Sequence, residues 1–153
     1  MIQAFTIPGY PRGKSRPRFV RMGKYVRTYQ PKEDEEREKA IKAAYLKAFG
    51  NIGPYSGPVA ISMEVVYTVP PSRPKREKLS PGPKVTKPDL DNVVKSVLDG
   101  LNKVAYTDDA HVIRQDAWKR FGERDEIIVT IERIGGTADL FACVSGENNE
   151  QTG

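Results

Sequence analysis

The sequence predicts a single α+β domain in which one mixed sheet carries two main helices. Two segments with helical periodicity, 31–49 and 89–104, are interleaved with strand-like runs near 2–7, 59–69, 111–121 and 126–134. The total of 153 residues is one domain's worth of chain, enough to bury a single core.

In chain order, Ile2 to Ile7 reads as a short strand, after which Pro8, Gly9, Pro11 and Gly13 open a loop rich in turn formers. Phe19 to Thr28, broken at Gly23, reads as a hairpin. From Pro31 the acids Glu33, Asp34, Glu35 and Glu36 fill a first helical turn, Ile41, Ala44, Tyr45 and Ala48 recur at helical spacing, and Lys39, Lys42 and Lys47 follow. That order of charge complements the helix dipole, Glu35–Lys39 and Glu38–Lys42 add i,i+4 pairs, and the helix ends before Gly50. Val59, Ile61, Met63, Val65, Tyr67 and Val69 share one parity, which predicts a strand with one face in the core, stopped by Pro70 and Pro71. Ser72 to Lys87 is cationic, proline-rich and without an apolar period, so a mobile loop is expected. Asp89 to Val104 is the second helix with Asp89 as N-cap, followed by a turn at Tyr106-Thr107-Asp108-Asp109. Strands over His111 to Phe121 and Glu126 to Ile134 complete the sheet, with Trp118 placed in the sheet as a core residue. Residues 1–134 form the domain, and 135–153 are expected to be a flexible tail.

Several function classes drop out. One Cys and one His cannot furnish a zinc site, and no disulfide framework exists within one chain. The longest apolar stretch, Val59 to Val69, carries Glu64 and is about half the ~20 residues a spanning helix needs, and the N-terminus lacks the apolar core of a signal peptide. A cytoplasmic protein with no membrane partner is expected. A lone His111 without a G-x-S-x-G-like elbow argues against a histidine hydrolase, and Cys143 falls in the tail.

The charge is segregated. Residues 1–32 hold Arg12, Lys14, Arg16, Arg18, Arg21, Lys24, Arg27 and Lys32 and no acid, a local charge of +8. The remainder carries 17 basic against 20 acidic residues, or −3, although Arg73, Lys75, Arg76, Lys78, Lys84 and Lys87 face only Glu77 in a second basic stretch. Two cationic arms on a mildly acidic body are the footprint expected for a polyanion partner, and Phe19, Tyr25 and Tyr29 can stack on exposed bases.

On a helical wheel at about 100° per residue, Leu90, Val93, Val94, Val97, Leu98 and Leu101 fill one arc of the second helix. Asp91, Lys95, Asn102, Asp99, Asn92 and Lys103 fill the other, with Asp91 at the boundary. The next turn returns Asp108 and Asp109 toward them. Four carboxylates gathered there, Asp89, Asp91, Asp108 and Asp109, repel one another by about 4 kcal/mol per close pair at ~4 Å and an effective dielectric of ~20, a penalty that a bound cation removes. Oxygen-only donors select a hard ion, Mg²⁺, with Mn²⁺ as a substitute, and metal-assisted hydrolysis of a nucleic-acid backbone follows as the chemistry. Lys95 would steady the phosphate or the attacking water.

The run Lys87-Pro88-Asp89-Leu90-Asp91-Asn92, then Lys95, Asp99, Leu101-Asn102 and Asp108-Asp109, resembles the signature of the RusA family of Holliday junction resolvases. Gly9-Tyr10-Pro11, Lys14 and Arg16-Pro17-Arg18-Phe19 resemble that family's opening, so the resemblance covers residues 2–134. It implies a homodimeric, Mg²⁺-dependent endodeoxyribonuclease of DNA recombination and repair that binds four-way junctions and nicks two strands symmetrically, one per subunit. It implies Asp89, Asp91 and Asp109 as metal-binding catalytic carboxylates and Lys95 as the catalytic lysine, and leaves open whether Asp108 or Asp109 reaches the metal. Asp99 either orients Lys95 or covers the polar face. A two-fold pair of sites matches a two-fold junction. Arg12, Lys14, Arg16, Arg18, Phe19, Arg21 and Lys24 in one arm and Arg73, Lys75, Arg76 and Lys87 in the other would line one DNA face. The competing reading is a non-catalytic basic DNA-binding protein in which the acids are only caps and behaviour is unchanged by chelator.

Overall fold

Alternating strands and one strongly amphipathic helix set the architecture. The computed structural model describes residues 1–79 and 82–135. The chain runs β1 (Ile2–Pro8), β2 (Arg18–Met22), β3 (Tyr25–Tyr29), α1 (Lys32–Phe49), β4 (Val59–Thr68), α2 (Lys75–Leu79), α3 (Leu90–Leu101), β5 (Val112–Gly122) and β6 (Glu126–Arg133), with a 3-10 turn at Asp109–His111 before β5. Four strands form a mixed sheet in the order β1-β6-β4-β5, β4 and β5 parallel and the other neighbours antiparallel, while β2 and β3 pair only with each other. The predicted α+β class, the mixed sheet and both main helices are present.

One face of the sheet carries both helices. Ile7, Ile61, Met63, Val65, Ile127, Val129 and Ile131 meet Ile41 and Tyr45 of α1 and Val93, Val97 and Leu101 of α3 in one buried cluster, each such side chain stabilising the fold by about 1.5–3 kcal/mol. Leu90 and Leu98 of the expected arc of α3 are only partly buried, while Val93, Val94, Val97 and Leu101 are buried together with Ser96 and Gly100. Those two are buried because α1 crosses there: a Cβ on Gly100 would stand 2.7 Å from Ile41 Cγ2. On α1 the i,i+4 ion pair among the described residues is Lys32–Glu36, whereas Glu38 turns to Gln30 (2.7 Å) and Lys14 rather than to Lys42.

Three expectations are corrected. Trp118 lies on β5 but is half exposed, at 50%, because register sets it beside Glu64 on the sheet face that no helix covers. The 72–87 stretch is no structureless loop: it contains α2, and residues 82–88 are tied to β5. Phe121 N–H donates to the Gly82 carbonyl (3.0 Å) and Lys84 N–H to that of Lys119 (3.3 Å), while the Lys84 ammonium sits 5.0 Å from the centre of the Tyr67 ring. α3 also ends at Leu101, three residues short of the expected Val104. The expected tail lies, apart from Gly135, outside the described residues. Among the described residues no helix is long and apolar enough to cross a membrane.

Candidate active site

The amphipathicity that buries one side of α3 presents its polar side to a cleft of about 560 Å³ against β5. Leu90, Val94, Leu98 and Ala117 make its apolar floor, and Asp91, Lys95, Asp99, Asp109 and Gln115 supply its polar groups. Strand parity brings β5 into the site: Gln115 and Ala117 point into the cleft, and Lys119, next on that parity, donates to the carbonyls of Thr86 (2.6 Å) and Pro88 (2.7 Å). Lys119 therefore pins the chain just before α3 begins.

Asp89 occupies the N-cap position of α3 but makes no capping hydrogen bond; its carboxylate accepts from Lys87 Nζ at 2.8 Å instead. That hydrogen bond holds the Asp89 carboxyl below the usual carboxylate range. Asp108 accepts from the Ala110 N–H at 2.8 Å, capping the 3-10 turn, and this bond likewise lowers its pKa. Of the adjacent pair it is Asp109 that lines the cleft. Tyr106, fully buried, locks the turn to α3 by donating to the Leu98 carbonyl at 2.7 Å. Burial first, then the charges of Asp109 and Asp99, push its phenol far up, so it stays protonated.

Among the described residues no three Asp, Glu, His or Cys side chains converge closely enough to enclose a metal ion. The cleft unites Asp91, Asp99 and Asp109, while Asp89 and Asp108 are turned to local partners. The donor chemistry still fits a magnesium-type ion, because such an ion retains most of its waters and needs only one or two carboxylates beside substrate phosphate oxygens.

Residues 9–17 form a strap across α3. Tyr67 Oη donates to the Pro11 carbonyl (2.8 Å), Lys14 N–H to the Asn92 carbonyl (3.1 Å) and Ser15 N–H to the buried Asp34 carboxylate (3.1 Å). Gly13 is favoured where the strap touches α3, since a Cβ there would lie 3.0 Å from Asn92 Cβ and one of the two would have to shift. The Lys14 ammonium donates to Asp99 and stands 3.6 Å from Glu38. Burial opposes its charge, but the Asp99 hydrogen bond and the two carboxylates outweigh it and raise its pKa.

The β2–β3 hairpin follows at once. All ten of its strand residues are exposed, and register sets Val20 beside Arg27 and Arg21 beside Val26, so apolar and cationic side chains share both faces. Arg18 comes four residues after Lys14, so the hairpin root lies within roughly 14 Å of the strap's contact with α3. In the second arm Lys75 and Arg76 lie on α2, the Arg73 guanidinium is 6.0 Å from the centre of the Phe121 ring, and Lys87 faces Asp89.

Sequence reasoning missed Gln115, Lys119 and Tyr106. For the first two the signal was present in the alternation of β5; for Tyr106 nothing local announced a bond to a carbonyl eight residues earlier.

Comparison with known proteins adds an independent line. The family model for the endodeoxyribonuclease RusA matches residues 8–132. The chain is also 32% identical over 138 residues, 85% of its own length and 95% of the relative's, to the uncharacterized protein YqaN of Bacillus subtilis (strain 168).

Proposed function

The chain belongs to the RusA endodeoxyribonuclease family, and from that premise we propose that it is a divalent-cation-dependent endonuclease of branched DNA, resolving four-way junctions as a cytoplasmic homodimer with one nick per subunit. The observation that carries this reading is the convergence of Asp91, Lys95 and Asp109 on one cleft beside the root of an acid-free, basic hairpin.

Asp91 and Asp109, together with Asp89, which immediately precedes the cleft-lining Leu90, would hold Mg²⁺ or Mn²⁺, and the ion would supply charge neutralisation and an activated water at the phosphodiester. The rest is work for the chain itself. Lys95, on the same helix line as Asp91, donates to a non-bridging phosphate oxygen and holds the scissile group in the cleft. Gln115, on the opposite wall, offers an amide to the same group. Arg12, Arg16, Arg18, Arg21, Lys24, Arg73, Lys75, Arg76 and Lys87 neutralise flanking phosphates, and Phe19 offers a stacking surface. Lys14 is spent on Asp99 and Glu38 and takes no part in DNA contact.

The test is cleavage of a synthetic four-way junction in Mg²⁺, in Ca²⁺ and in chelator, beside a linear duplex. Asp91→Asn is expected to lose about 10²-fold or more of the nicking rate, as for other key electrostatic groups, while junction binding persists. Cleavage retained by that variant, or binding indifferent to all three conditions with no nicking by the unaltered protein, overturns the reading in favour of a non-catalytic DNA binder.

A further inference from the structure

We infer that Lys14 is a positioning residue for the cleft: by holding the Asp99 carboxylate on the strap side of α3, it keeps that acid off Lys95 and leaves the Lys95 ammonium free for the substrate phosphate. The inference rests on the reading of the cleft as a nuclease site.

Lys95 and Asp99 stand four residues apart on α3, the spacing at which opposite charges on a helix pair. Both line the cleft, yet among the described residues Lys95 makes no hydrogen bond or ion pair, while Asp99 is taken by Lys14. The wheel explains why. With Asp91 at 0°, Lys95 falls at about 40°, Asp99 at about 80° and Asn92 at about 100°. The cleft opens on the low-angle side, where Leu98 and Val94 also lie. The strap crosses the high-angle side, where Gly13 packs on Asn92 and Lys14 N–H bonds the Asn92 carbonyl. Asp99 thus sits between two lysines and is drawn to the one away from the cleft.

The pair is better placed than a surface ion pair. Both side chains are only 23% exposed, Glu38 adds a second carboxylate at 3.6 Å, and the Lys14 backbone is already fixed by the strap, so only side-chain rotamers remain to be ordered by the pair. Removing Lys14 would leave a half-buried carboxylate without its partner, and the nearest cation on its own helix is Lys95.

Single-turnover junction cleavage in Mg²⁺, junction binding in Ca²⁺ and thermal melting of the full-length protein test this. Lys14→Met is expected to slow cleavage about tenfold, less than outright deletion of such a group costs, with binding affinity kept within about twofold. Lys14→Arg restores the charge and most of the rate. The decisive variant is Lys14→Met combined with Asp99→Asn: with no carboxylate to capture Lys95, cleavage returns to within about threefold of the unaltered protein. Amine-selective trace labelling supplies a readout independent of turnover, with Lys95 protected in Lys14→Met and reactive again in the double variant. A purely structural Lys14 predicts the reverse, a double variant at least as slow as the single one and lower melting, and that result, or an unchanged rate in Lys14→Met, overturns the inference. Failure of the underlying reading is distinguishable, because the unaltered protein would then not nick junctions in Mg²⁺ at all.

Discussion

Residues 9–17 and 18–29 are consecutive, both free of acid, and both carry one cation in every three residues. The fold treats them in opposite ways. The strap is bound through Pro11, Lys14 and Ser15 to β4, α3 and α1, while the hairpin leaves Phe19 72% and Tyr25 80% exposed. The acids that satisfy the strap, Asp34, Glu38 and Asp99, lie up to 85 residues away in the chain, beyond any window in which local charge is counted. An isolated two-stranded hairpin is marginal in water, and its mixed apolar and cationic faces remain open to a partner. Charge density alone therefore does not say which cations can reach DNA.

The contrast can be broken at either end. The largest stability effect is expected from Asp34→Ala, which strips the Ser15 N–H of its charged, buried acceptor and should cost about 2 kcal/mol in urea unfolding, within the range for a hydrogen bond to a charged group. A loss below about 0.5 kcal/mol, the ordinary scatter of surface changes, would mean the strap is not held by that bond. Gly13→Val should cost about 1 kcal/mol by forcing the strap off Asn92, measured the same way. Replacing Arg18, Arg21, Lys24 and Arg27 together by Gln should move stability least, by about 0.5 kcal/mol, while lowering the salt slope of DNA binding by about 0.9 for every phosphate left unneutralised. An unchanged slope would return the hairpin to the status of a solvated surface.

Much of this was legible in the sequence because it is periodic. The burial of Val93, Val97 and Leu101 follows from helical spacing, and the buried parity of β4 from strand alternation. What could not be read depends on contacts between segments remote in sequence. Ser96 and Gly100 look like interruptions of the apolar arc until α1 is laid against them. Trp118 looks like core until register puts it opposite Glu64. Lys84 and Lys119 look like solvated charge until each is seen to secure the 82–88 segment. In the cleft, Asp91 and Lys95 were named from the residues, and Asp109 as one of an adjacent pair in which only the family resemblance favoured it, but the diversion of Asp89 to Lys87 and of Asp108 to Ala110 depends on rotamers that spacing does not specify.

The tethering of residues 82–84 along β5 has one more outcome. Continuous ribbons built by strand addition require two unpaired rims on every subunit, one to offer and one to receive. Here Gly82 and Lys84 occupy hydrogen-bonding positions on the outer side of β5 at Phe121 and Lys119, so in the four-stranded sheet that end of the β5 rim is closed, while among the described residues no strand lies against the outer rim of β1. A strand added from another molecule would therefore meet less obstruction along β1 than at that end of β5.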